Sequence, residues 1–180
     1  MNGRISRALA CFVWIAVVLI FLGYGNSANC QNYQTYRRPL IDMPLSLSVG
    51  TVRTTPFQVK KARYAIMIQA EERIPIDKMM CMLGLSIGPY DYHKCGEPLL
   101  QLEWIVRDGE RVVAQGTIHQ PDGDVGATNG YLFKYVGYFK GESKRTYVLE
   151  VKFAQDATAL NVTNPHLIVM LTKAGDNMAM

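Results

Sequence analysis

Between Met80 and Cys95 the chain reads MCMLGLSIGPYDYHKC, which gathers two of its four cysteines and one of its three histidines. Two chemistries are open to these residue types. Joined as a disulfide, Cys81 and Cys95 close a loop of about fifteen residues, a constraint worth about 3 kcal/mol through the entropy it removes from the unfolded chain. Gly88-Pro89 supplies a turn that brings the ends back together. Tyr90, Tyr92 and His93 then stand in the stapled loop as candidate partner contacts. Kept as thiols, Cys81 and Cys95 join Met79, Met80 and His93 in a soft donor set suited to copper. No Cys-x-x-Cys or His-x₃-His spacing supports that second arrangement, and methionines on a short helix ordinarily fill gaps in a core. The expectation is a Cys81–Cys95 disulfide and no cofactor, with copper binding by these residues as the alternative.

Elsewhere the residue types argue against catalysis. The chain has neither a Gly-x-Ser-x-Gly elbow nor a His-Glu-x-x-His helix, so the expectation is a protein that is not an enzyme. His93, His119 and His166 stand apart in sequence. Asp122 and Asp124 in PDGDVGATNG are hard donors, but the acidic residue that closes an EF-hand-type calcium loop is missing, and the segment reads as a turn. One aromatic row remains: Tyr131, Phe133 and Tyr135 share one side of a strand, with Phe139 further along it. Such a row can stack sugar rings or a partner's apolar surface. The other side holds Leu132, Lys134, Val136 and Tyr138; because the charge sits there, the aromatic side is expected to face the core.

The compartment comes from the N-terminus. Arg4 and Arg7 precede ALACFVWIAVVLIFLGY, residues 8–24, which carries no charge. This is the n-region and h-region of a signal peptide, and its length also meets the lower limit for a membrane-spanning helix. A cut after Ser27 leaves Gly25 and Ser27 at the small-residue positions. Acylation at Cys30 is disfavoured by Asn29, which breaks the lipobox. In either leading reading the basic end stays in the cytoplasm and everything after residue 25 is exported, into a compartment where paired cysteines persist as disulfides. Residues 1–28 are thus a signal peptide or a membrane anchor. The formal net charge is +4, and removing Arg4 and Arg7 leaves +2, too little for a nucleic-acid footprint. Lys60, Lys61 and Arg63 sit close together and read as a solvated strand end.

The elements that must carry these residues are mostly strands. Residues 29–44 are polar with two prolines and read as a linker or a lead-in strand. A domain then spans residues 45–174, followed by a tail, 175–180. LSLSVGTV alternates as a half-buried strand. ARYAIMIQAEE puts Tyr64, Ile66 and Ile68 on one face and Ala65, Met67 and Gln69 on the other. LLQLEWIV directs Leu100, Leu102, Trp104 and Val106 to one side. Asp108-Gly109 is the dipeptide of a type I′ hairpin. YLFKYVGYF and RTYVLEVKF flank KGESK as a second hairpin, with Tyr147, Leu149, Val151 and Phe153 inward. IPIDKMMCMLG alone has helical spacing, at Ile76, Met79, Met80 and Leu83, with Pro75 before it and Gly84 after. DATAL makes a helical turn that Asn164-Pro165 ends, and HLIVMLT is the last strand. Short strands with regularly spaced turns and one helical insert predict a mainly β fold, an antiparallel β-sandwich of immunoglobulin-like or jelly-roll-like type, preceded by the hydrophobic export helix.

EWIVRDGERVVAQG, YVGYFKGESKRTYVLEVKF and DATALNVTNPHLIV together resemble small exported bacterial β-sandwich domains of unknown function, over about a third of the chain. The resemblance implies a fold and a compartment and transfers no site residues. The Tyr147-x-Leu149-x-Val151 alternation is similar to the late strand of immunoglobulin-like sandwiches. The reading is an exported, periplasmic or membrane-anchored binding module. Its partner would be an envelope protein or a glycan.

Overall fold

Ten strands make up most of the computed structural model, which describes residues 38–84, 99–118 and 125–172. These residues belong to a unit that begins at Arg38. The strands are β1 (Ile41–Pro44), β2 (Gly50–Arg53), β3 (Phe57–Gln58), β4 (Ala62–Glu71), β5 (Leu102–Asp108), β6 (Arg111–Ile118), β7 (Val125–Thr128), β8 (Tyr131–Gly141), β9 (Thr146–Phe153) and β10 (His166–Leu171). They form two antiparallel sheets, β1-β10-β4-β8-β7 and β2-β9-β5-β6, with β3 paired to β9. The fold is mainly β with one short helix, α1 (Ile76–Leu83).

The two sheets share one core. Tyr64, Ile66, Ile68, Leu132, Val136, Phe139 and Leu167 of the first sheet meet Leu102, Trp104, Val106, Tyr147, Leu149, Val151 and Phe153 of the second. The inward sets expected on β4, β5 and β9 all lie in this core, including Leu100, which precedes β5. α1 closes one end with Met79, Met80 and Leu83 buried; Pro75 stands at its N-cap and Gly84 at its C-cap, in the left-handed conformation at φ 65°. Gly suits that position because it has no Cβ to clash there. A 3₁₀ helix (Thr158–Thr163) follows β9 and ends at Asn164, also left-handed.

One local reading is settled and three change. Of the two readings of residues 29–44, linker or lead-in strand, residues 41–44 take the second: they are β1, paired with β10. Residues 45–49 of the expected LSLSVGTV strand make no ladder: they cross from one sheet to the other, and strand resumes only at Gly50. Leu45 and Leu47 alternate because that crossing pins them into the core, where the Asn161 side-chain oxygen accepts from the Leu47 N–H at 3.0 Å. In the β5–β6 hairpin, Asp108 pairs with Arg111, so the central residues are Gly109 and Glu110. Gly109 alone has positive φ, the II′ pattern with glycine first, not I′. The true type I′ signal lies in the segment read as loop: Asn129 and Gly130 both have positive φ and join β7 to β8.

The third change alters the architecture. β8 and β9 do not form a hairpin; β8 pairs with β4 and β7, β9 with β2, β3 and β5. The turn at residues 142–145 is an arch between sheets, held where the Glu142 N–H donates to the buried Tyr147 hydroxyl at 2.9 Å. Clean alternation on both strands is what a hairpin and an arch have in common, so the pattern does not separate them.

Candidate binding face

The aromatic row on β8 points out of the core. Opposite β4, Ala70 pairs with Leu132 and Ile68 with Lys134, which puts Leu132 and Lys134 inward; Met67 pairs with Tyr135 and Ile66 with Gly137, leaving Val136 as a bulge. Tyr131, Phe133 and Tyr135 therefore lie on the outer face of the first sheet, and the expectation that they face the core is overturned. Past the bulge the phase shifts, so Tyr138 also points outward while Phe139 turns in to stack on Tyr64 at 5.4 Å. The charge went inside because it finds a partner there: Lys134, 1% exposed, donates from Nζ to the Gly84 carbonyl at the end of α1. A cation near a helix C-terminus meets the negative end of its dipole.

Register across the sheet builds this outer face in rows. Ile168, Met67 and Tyr135 form one row, and Met170, Ala65 and Tyr138 the next. Ala65, Met67, Phe133 and Ile168 make a second apolar cluster, separate from the main core, with Tyr131, Tyr135, Tyr138 and Met170 half-buried around it. Strands β4 and β10 are thus apolar on both faces. Gly126 of β7 belongs to the same surface: a Cβ there would reach Phe133 and Tyr135 at 3.7 Å.

At the end of the sheet away from α1, the cluster acquires charge. Tyr135 and Tyr138 stack with centroids 6.0 Å apart at 21°. The Arg63 guanidinium lies over Tyr138, 4.3 Å from the ring centre, a cation–π geometry. Arg63 pairs directly with Lys140 across β4 and β8. An open depression of about 610 Å³ is lined here by Lys61, Ala62, Arg63, Tyr138, Phe139 and Lys140. Lys61 and Arg63 were read from sequence as a solvated strand end; Lys140, far along the chain, escaped notice because only strand pairing brings it beside them.

Of the cysteine-loop residues, Cys81 lies half-buried on α1 and is disulfide-bonded; Cys95, Tyr90, Tyr92 and His93 lie outside the described residues. Met79 and Met80 of the copper alternative are buried in the core, so their thioethers are committed to packing. Among the described residues no group of three or more His, Cys, Asp or Glu side chains could hold a metal ion. His119, Asp122 and Asp124 fall outside the described residues too. His166, isolated in sequence, meets Asp42 across β1 and β10 through Nδ1. Among the described residues no helix is long and apolar enough to cross a membrane; residues 8–24 are not among them.

No protein-family profile matches the chain, and no curated protein does. A crystal structure of a protein from Sulfurospirillum deleyianum superposes with a TM-score of 0.53 at 9% identity, covering 74% of this chain and 97% of that one. At that identity the likeness concerns the fold.

Proposed function

We propose that this is an exported, non-enzymatic binding module, an antiparallel β-sandwich of immunoglobulin-like build whose binding face is the outer surface of the β1-β10-β4-β8-β7 sheet. The observation that carries the reading is that this sheet is apolar on both sides. An antiparallel sheet with one face in water ordinarily alternates apolar and polar residues; on this outer face Ala65, Met67, Phe133 and Ile168 are themselves buried, and Tyr131, Tyr135, Tyr138 and Met170 are the partly exposed side chains a partner would meet.

Three features support the immunoglobulin-like build. The triple β4-β8-β7 against β9-β5-β6 has the connectivity of strands B, E and D against F, C and C′. Trp104 is buried on the C-like strand, and Tyr147 at the start of the F-like strand accepts a hydrogen bond from the backbone five residues upstream, the arrangement of a tyrosine corner. The departure is β10, which pairs with β4 and not with β9. Export rests on Arg4, Arg7 and the uncharged run 8–24, and the Cys81–Cys95 pairing on that compartment and on the spacing of the two cysteines.

The test is co-sedimentation of the exported protein with the envelope fraction of the source organism, with Tyr138→Ala and Tyr135→Ser as probes. Both side chains are partly buried and lie outside the main core, so both variants keep the wild-type melting transition to within a few degrees and lose at least tenfold in envelope binding. Undiminished binding by a folded Tyr138→Ala variant would remove this face from the mechanism.

A further inference from the structure

Independently of that binding face, we propose that the open edge of β6 pairs with the β6 edge of a second copy of this chain, joining the two second sheets into one. An edge strand presents unpaired N–H and C=O groups, and native sheets guard such edges with shortness, charge or proline. β1 has four residues and carries Asp42 and Pro44; β2 has four and carries Arg53; β3 has two and β7 four. Where β8 runs past the reach of β7, it carries Lys140. β6 lacks these guards over most of its length. It is eight residues long, pairs with β5 alone among the described strands, and bears one charge, Arg111, beside the turn. The remainder, Val112 to Ile118, is uncharged, with Val112, Gln115 and Thr117 exposed. Outside the β5 ladder the β6 backbone makes no hydrogen bond to a described residue.

Register selects a second copy as the occupant. The two-residue turn makes Asp108 and Arg111 a hydrogen-bonded pair. Pairs alternate from there, with Val113 as the extra residue of a bulge. Gln115 and Thr117 are then the residues whose N–H and C=O point away from β5. A two-fold axis through Gly116 sets Gln115 of each copy opposite Thr117 of the other, and Ala114 opposite Ile118. In that register every residue meets one on its own side of the sheet, because Ala114, Gly116 and Ile118 pair with the buried Val106, Trp104 and Leu102 while Gln115 and Thr117 pair with Ile105 and Glu103. Glycine stands on the axis and no like charges oppose. An unrelated extended peptide would gain the backbone bonds without this match of faces. Antiparallel neighbours related by such an axis keep their faces, so both copies carry their first sheet on the same side of the joined sheet. Their candidate binding faces then look the same way, an arrangement for bivalent attachment.

The test is sedimentation equilibrium of the exported protein from about 1 μM to about 1 mM, a range that covers weak association. The expected result is a monomer–dimer equilibrium with no larger species, since a two-fold contact closes on itself. Two double variants read the register. Gln115→Glu with Thr117→Lys sets opposite charges across both ladder positions and tightens the dimer about tenfold; Gln115→Lys with Thr117→Lys sets like charges there and weakens it about tenfold. Thr117→Lys is common to both, so its meeting with Glu103 on β5 cancels in the comparison. Both positions are exposed, and both variants keep the wild-type melting transition to within a few degrees. Should the two-lysine variant lose that transition, the glutamate–lysine variant decides alone, and no tightening overturns the proposal. Equal association by the two variants overturns it as well, as does growth beyond a dimer. A wild type that stays monomeric does so too, whether or not a peptide of alternating threonine and valine binds its β6 edge. Association is measured without any ligand, so its outcome is separate from that of envelope binding.

Discussion

Gly137 sits on the inner side of β8, opposite Ile66, where a Cβ would lie 2.1 Å from Cζ2 of Trp104, 2.6 Å from Cε2 and 2.9 Å from Cη2. Carbon atoms pack at about 3.5–4.0 Å, so Gly137→Ala forces the indole or the strand to move by more than 1 Å. The indole has little room to do so: on its other side a Cβ at Gly116 would be 2.7 Å from Nε1, which means that the two glycines frame the ring from both sheets. Gly137 is not among the residues with positive φ, so the substitution tests packing and not backbone strain. Overpacking of a filled core costs about 1–3 kcal/mol, and a rigid, doubly confined neighbour puts this case near the upper end. At about 3 kcal/mol the melting temperature of a domain this size falls by roughly 6–12 °C. The decisive measurement is a double-mutant cycle with Trp104→Phe, which alone leaves a cavity and costs about 2–4 kcal/mol. Together the added methyl occupies part of the vacated space, and the pair is expected to be less destabilised than the sum by at least about 1 kcal/mol. Urea unfolding followed by far-ultraviolet circular dichroism reads all four corners without relying on the tryptophan itself. Additivity within about 0.5 kcal/mol, or a Gly137→Ala variant as stable as the wild type, would refute the claim that the sheets close on Trp104 through these glycines.

Other consequences are accessible to simpler measurements. Tyr147→Phe leaves the Glu142 N–H without its acceptor and is expected to cost about 1–3 kcal/mol in urea unfolding; an effect below about 0.5 kcal/mol would mean the arch does not need that bond. Asp156 accepts a hydrogen bond from the Thr158 backbone N–H at 2.9 Å, and the backbone and side chain of Thr158 hold its carboxyl below the ordinary carboxylate range. Because the folded pKa is depressed, its contribution is present above the unfolded value near 4 and is lost as pH falls through the folded pKa. The wild type should therefore exceed Asp156→Ala in stability at neutral pH, and the two should converge in acid; a gap independent of pH would contradict this. Thiol counting in denaturant on the exported protein should find Cys81 and Cys95 unreactive until a reductant is added, with reduction or Cys81→Ala costing about 3 kcal/mol; two free thiols before reduction would end the staple reading.

Local chemistry made part of this structure readable in one dimension. α1 falls at Ile76–Leu83 because Pro75, Gly84 and the spacing of Met79, Met80 and Leu83 act within two turns of backbone. The inward sides of β4, β5 and β9 follow from a period of two that any half-buried strand must show. The arch at residues 142–145, the crossing at 45–49 and the two-faced β4 follow from no such local rule, since which sheet a strand joins depends on partners far along the chain. Lys134 was placed outward because charge defaults to water; its partner, the Gly84 carbonyl, lies fifty residues away. The same holds for the candidate site. Arg63 and Tyr138 carry their chemistry in their side chains, but the bulge at Val136 sets the phase that turns Tyr138 outward, and the β4–β8 ladder sets Lys140 against Arg63. Residue types and local periodicity therefore determined the elements and most of their buried faces, whereas sheet assignment and register, which are non-local hydrogen-bond pairings, decided which residues meet at the surface.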